Sequence, residues 1–252
     1  MMKKTYMNYL RLRSFVTTWA ASLFFLLVPF TAAAQTGNTE PALGWYVGVE
    51  AGTALGQCTF RSISDSKTRL GVEGGVFVGY QFSTMLSADV TFTFGSQKMG
   101  ANDCCPYWLG KDGNRYFAPV LDGNGWYYSD LTATTSWQRM GARIHIDLLK
   151  CIYKKGTRWS ILASPQLSAF HSTNTLEANG CSEVSVGDAS QWHLGLGGQL
   201  AATYRLDSHF DLGLYGGLTT LTGSRFDQLP KHGHKSNLIY DAGLRLVYHL
   251  NP

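Results

Sequence analysis

Beyond its first 34 residues the sequence contains no apolar run approaching the ~20 residues of a membrane-crossing helix. Net charge is missing too, once that leader is set aside. Its four basic residues, Lys3, Lys4, Arg11 and Arg13, leave 17 of the 21 Lys+Arg against 17 Asp+Glu. The formal +4 therefore belongs to the leader, and the basic balance that would suggest a nucleic-acid partner is absent. No glycine-rich phosphate loop opens a helix, because no stretch carries a convincing helical period. His232-Gly233-His234 is half a metal site without further ligands at a recognisable spacing. Neither a metal nor any other cofactor is expected.

The leader itself is legible. A basic start is followed by the mostly apolar stretch 15–30, and Ala32-Ala33-Ala34 precedes Gln35. Small residues at −3 and −1 predict a secretory signal peptide cleaved near Ala34. No cysteine follows the apolar run, which excludes lipoprotein processing. Residues 35–43 form a short N-terminal segment, and 44–252 suit a single domain.

What that domain has is alternation. In 192–206, Trp192, Leu194, Leu196, Gly198, Leu200, Ala202, Tyr204 and Leu206 interleave with His193, Gly195, Gly197, Gln199, Ala201, Thr203 and Arg205. A period of two over this length is a strand with one apolar and one polar face. From Trp192 to Tyr204 such a strand rises roughly 30 Å at a tilt of ~40°. The same pattern predicts strands at 44–53, 70–82, 85–95, 131–149, 159–169, 210–221 and 238–250. Pro165 is a blemish in its strand, since proline cannot donate to a ladder. The connections alternate between long (54–69, 96–129, 171–190, 222–237) and short (83–84, 150–157, 207–209). An antiparallel up-and-down barrel would sort the long ones to one end and the short ones, with both termini, to the other.

Alternation alone does not say which face points inward, since a soluble barrel turns its apolar face in. Three observations favour a transmembrane barrel. Aromatics on the apolar face gather at strand ends: Trp45, Tyr80, Phe82, Trp159, Tyr204, Phe210 and Tyr248 at the short-turn end, and Trp192, Phe94 and Tyr240 at the other. No lysine falls inside the segments read as strands, whereas a solvated outer face would use lysine freely. The polar face is rich in glycine, which suits a narrow interior. The expected fold is all-β, an eight-stranded antiparallel up-and-down transmembrane barrel with long extracellular loops and short periplasmic turns.

In this pattern 44–250 resembles the small eight-stranded outer-membrane β-barrel family of the OmpA/OmpX/OmpW type. The resemblance implies a bacterial outer-membrane location, with membrane lipid and the assembly machinery as partners, and a monomer. Such barrels commonly finish on an aromatic, whereas this sequence ends Tyr248-His249-Leu250-Asn251-Pro252. No peptidoglycan-binding domain is seen, so a cell-wall tether is not carried over. The function implied is structural or adhesive, a surface-interaction role. The alternatives are a small-solute, porin-like channel or, less favoured, a lipid A-modifying enzyme. Enzymes of this architecture use a His, a Ser and a carboxylate near the outer rim. His171-Ser172 with Glu177 sits there, but neighbours on a strand point apart. A non-enzymatic role is expected.

On the polar face lie Glu50, Glu73, Asp89, Asp211 and Asp241 with Arg139, Arg143 and Arg245, joined by Asp147, Arg205, His145, His193 and His249. Eight strands leave an interior just wide enough for side chains, so these charges must pair or be hydrated. The expectation is a plug of ion pairs, with Arg139 and Arg143 facing Glu50, Glu73 and Asp241 across the outer half of the barrel. Cys58, Cys104, Cys105 and Cys181 map to outer loops, where two disulfides can form in three connectivities. One of the vicinal pair is expected to bridge to Cys58 and the other to Cys181, leaving Cys151 unpaired in a short turn. The long second loop, with Tyr107, Trp108, Tyr116, Phe117 and Trp126, is either a partner-binding surface or an aromatic cluster over the barrel mouth.

Overall fold

The computed structural model describes residues 43–63, 68–101, 107–117, 125–152, 157–178, 182–184, 186, 190–223, 226–229 and 237–250. The wall is made of β1 (Gly44–Gln57), β2 (Val72–Gln81), β3 (Leu86–Gly100), β7 (Leu131–Asp147), β8 (Trp159–Ala178), β10 (Ser190–Arg205), β11 (Phe210–Leu221) and β12 (Asn237–His249). Each pairs antiparallel with the next, and β1 pairs with β12 from Tyr46↔His249 to Gln57↔Leu238, closing the barrel. Three short strands, β4 (Trp108–Gly110), β5 (Arg115–Tyr116) and β6 (Gly125–Tyr127), form a separate sheet within the second long connection. The two-residue β9 (Ser182–Glu183) extends the edge of β8.

Side chains alternate as the sequence predicts. Trp192, Leu194, Leu196 and Leu200 of β10 are exposed on the outside, while His193, Gln199, Thr203 and Arg205 are buried inside. Val47, Val49, Val76, Val78, Val90, Phe92, Met140, Ile144, Leu212 and Leu244 continue the outward apolar surface around the wall. Leu196 is 64% exposed. An apolar belt of this kind would be stable against hydrocarbon, and the closed ladder pairs the wall's backbone except beside Pro165, where the β7–β8 pairing passes over Ile144 and His145. Trp45–Tyr80, Tyr80–Phe82, Phe210–Tyr248 and Trp159–Tyr204 ring contacts make a girdle at the short-turn end.

Two short connections are held by side-chain oxygens. Asp207 Oδ1 accepts the N–H groups of His209 (2.7 Å) and Phe210 (2.8 Å), the turn that aspartate forms readily. Asp147 Oδ1 accepts those of Leu149 (3.1 Å) and Lys150 (3.3 Å), capping a five-residue helix, α1 (Leu148–Ile152). Sequence periodicity expects no helix, and one turn is too short to show a period.

Several strands are longer than predicted. β8 runs to Ala178 rather than stopping near Ala169, and β3 runs to Gly100 rather than Gly95. Lys98 consequently lies within a strand, on its exposed face, so the expected absence of lysine from strands does not hold. In these extensions the polarity of the wall is reversed. Thr173 and Thr175 face out, while Phe170, Leu176, Ala178, Leu131, Ala133 and Trp137 face in. The inward residues join Phe60, Met99, Leu109, Tyr128, Phe226, Leu229 and Ile239 in one apolar core at the long-connection end. The ladder continues while most apolar residues turn inward, leaving Gln97, Thr135, Ser172 and Asn174 as buried polar members. None of the helices among the described residues is long and apolar enough to cross a membrane.

Candidate functional site

The candidate site is the barrel lumen, stacked in layers from the short-turn mouth to the apolar cap. At the mouth Arg205 holds Asp211 through two hydrogen bonds, Nε to Oδ1 at 2.7 Å and Nη2 to Oδ2 at 3.0 Å. His249 Nε2 lies 2.9 Å from the same carboxylate. Beside them Lys150 Nζ is 3.2 Å from Asp147.

The middle layer centres on Arg143. Its Nε and Nη2 donate to the two oxygens of Asp89 at 2.8 and 2.9 Å. Nη1 reaches Glu50 at 2.9 and 3.0 Å, and Gln199 Oε1 at 3.0 Å. One guanidinium thus joins β7, β3, β1 and β10 across the lumen. His145 bridges Asp89 (2.8 Å) and Ser164 (2.6 Å). Arg245, the register partner of Glu50 across the closing seam, stands 3.8 Å from Glu50 and 3.9 Å from Asp89. Both guanidiniums lie against the Phe77 ring, Arg143 at 5.3 Å and Arg245 at 4.8 Å from its centroid. Gly48 makes room for that ring: a Cβ there would sit 2.1 Å from its Cζ.

One layer further out, Arg139 donates to Asp241 Oδ2 at 3.1 Å and Thr93 Oγ1 at 2.9 Å, with Glu73 Oε2 at 3.8 Å. Tyr215 O–H donates to Glu73 Oε1 at 2.8 Å. The Trp137 and Phe170 rings, each 5.5 Å from the Arg139 guanidinium, roof this layer and begin the cap. Desolvated charges of this sort are held only where partners meet them in good geometry. Arg139 lies against Asp241 and Glu73, and Arg143 against Glu50; Asp89 and Arg245 belong to the middle layer. Sequence reasoning missed Phe77, Tyr215 and Gln199 as members. The first two stood out as large apolar residues in a polar set.

His171, Ser172 and Glu177 are not assembled as a catalytic set. His171 faces outward and bonds Ser190 Oγ at 2.8 Å, whereas Ser172 is fully buried inside. Ser172 instead meets His193 Nε2 at 3.2 Å, and His193 Nδ1 lies 2.9 Å from the Thr222 carbonyl. Ser172 and His193 are both buried on the inner side of the wall. Among the described residues no group of three or more His, Cys, Asp and Glu is placed to hold a metal ion; His232 and His234 lie outside those residues.

The second connection divides its aromatics by face. Leu109 and Tyr128 are buried in the cap core, with Tyr107 and Trp126 packed against it. Across the small sheet, Tyr116, Trp108 and Tyr127 are register partners in one row. Trp108 and Tyr127 are 3.8 Å apart, and Phe117 is 73% exposed nearby. Of the cysteines expected to bridge, Cys58 is buried in the cap, and Cys104, Cys105 and Cys181 lie outside the described residues. Cys151 is exposed on α1 and unbridged.

Below the apolar cap the barrel is polar within and apolar without. No family model matches the sequence, and no curated protein matches it. Solved structures with a similar fold include Neisserial surface protein A, at 15% identity and a TM-score of 0.43, covering 83% of this chain and 99% of that one. Ail, the attachment invasion locus protein of Yersinia pestis, solved with the heparin analogue sucrose octasulfate, is 9% identical with a TM-score of 0.44 over 82% and 98% of the two chains. The outer membrane protein OprG from Pseudomonas aeruginosa is 11% identical with a TM-score of 0.40 over 84% and 100%.

Proposed function

We propose that this chain is an integral bacterial outer-membrane protein, non-enzymatic and monomeric. In this reading its lumen is plugged by ion pairs, and its long-connection end faces the cell exterior in a structural or adhesive role. The observation that carries the reading is the lumen filling: Arg143 ties Glu50 to Asp89 across the interior, beneath an apolar cap. A solute would have to break both to pass. The outward aromatic row of Tyr116, Trp108 and Tyr127 favours a surface-interaction role, because rings backed by a packed core offer contact area at low entropic cost. Disulfides among Cys58, Cys104, Cys105 and Cys181 would brace this end. Export would remove the first 34 residues.

Planar-bilayer conductance of wild-type barrel and of Arg143→Glu tests the plug. A silent wild type and a leaking variant support it. Steady conductance by the wild type favours the small-solute channel, and altered lipid A on expression favours the enzyme.

A further inference from the structure

On the outside of the wall, at the height where its polarity reverses, a groove of about 540 Å³ crosses β2, β3, β7 and β8. Two neighbouring rungs of the ladder shape it. The lower carries Gly74, Phe94, Gln138 and His171 in register, continued by Trp192. The upper carries Val72, Ser96, Ser136 and Thr173, with Val72 exposed. The groove exists because Gly74 has no side chain and three of the four upper residues are small. At Gly74 a Cβ would meet no atom closer than 3.7 Å, so interior packing does not require the glycine. His171 is fixed in place by Ser190 (2.8 Å) and the Trp192 ring (4.8 Å).

We propose that this groove seats the sugar headgroup of a membrane glycolipid, its acyl chains lying down the wall over Phe94. The site rests on the transmembrane reading above, since the lower rim is continuous with the apolar belt. Its polar lining is hydroxyls, an amide and an imidazole. Among the described residues no Lys or Arg lines it, Lys98 standing one outward rung above Ser96, and the Glu73 side chain is turned into the lumen on Tyr215. That chemistry matches sugar hydroxyls, with the Phe94 ring for an apolar face, and does not match a phosphate, which takes charge-assisted donors. The volume falls within the ~300–1,000 Å³ of small-molecule sites.

The test uses the folded full barrel in detergent, mixed with glucosyl-diacylglycerol or with phosphatidylglycerol of the same chains, and reads retained lipid by native mass spectrometry. Wild type should keep the glucosyl lipid, and Gly74→Leu or Ser136→Tyr should lower that retention roughly tenfold, about 1.4 kcal/mol. Retention of phosphatidylglycerol should be low and unchanged by either variant. Equal glucosyl-lipid retention in wild type and variants overturns the proposal, as does a preference for phosphatidylglycerol. A heat-dependent gel shift is read alongside. If the wild type shows it but retains no glycolipid, the groove fails and the membrane barrel stands. If the wild type lacks it, both fail. Ser136→Tyr changes only an exposed side chain, so it decides the matter should Gly74→Leu not fold.

Discussion

The wall within the apolar belt and the wall above it share one ladder and opposite chemistry. On β7 the inward residues run from Arg143 and Arg139 to Trp137, Ala133 and Leu131, with no break in register against β3 or β8. Below Trp137 the interior holds charges and the exterior the apolar Met140 and Ile144; above it the roles are exchanged, save for the inward Thr135. What surrounds each zone decides which face must be greasy. Hydrogen-bonded backbone is indifferent, and so the same strand serves both.

That contrast can be attacked at several points. The largest effect belongs to the middle layer. Arg143→Ala leaves Glu50 and Asp89 buried without their main partner, which should cost ~3–5 kcal/mol by urea unfolding in lipid vesicles. A cost under ~1 kcal/mol would mean that water already compensates those charges. Next comes the exterior. Leu196→Arg, in the belt, should cost ~2–4 kcal/mol, whereas Thr175→Arg, on the outer face of the extension, should stay within ~0.5 kcal/mol. Equal penalties would erase the distinction between the two zones.

The smallest effect is a pH response confined to the cap. Burial pushes the Asp227 carboxyl up to about 6, against the lowering influence of the Phe60 and Leu229 N–H groups it accepts. The folded cap therefore binds this proton more tightly than the unfolded chain does. Its contribution is fully present at acid pH and is lost as pH rises from the ordinary aspartate range through about 6. The protection of amides around Phe60, relative to their intrinsic exchange rate at each pH, should be higher at pH 5 than at pH 7, and Asp227→Asn should flatten the difference. Lower protection at pH 5 would refute it.

The belt was legible because Leu196, Leu200 and their neighbours alternate with glycine and polar residues without interruption. The cap was not, because its alternation is broken: residues 171–175 are polar on both faces and Thr135 interrupts the inward apolar set of β7. Between Trp137 and Met140 the apolar set changes phase, and a single-phase search stops there. Charged membership of the lumen could be read from parity alone. The uncharged groups around each guanidinium could not, because closure brings Gln199 and Phe77 to Arg143 from strands that are not its neighbours. Gly48 illustrates the same limit, its bareness being explained only by Phe77 on the adjoining strand.

Glu50 is on the first strand to leave the ribosome and Arg245 on the last, with Asp89 and Arg143 between them in order of synthesis. The charged centre is therefore unfinished until the final strand docks. A barrel arrested one strand short would carry Glu50 at an open margin, lacking its seam neighbour. Docking of β12 closes the seam and brings Arg245 to both carboxylates in one event, so barrel closure and interior charge balance coincide.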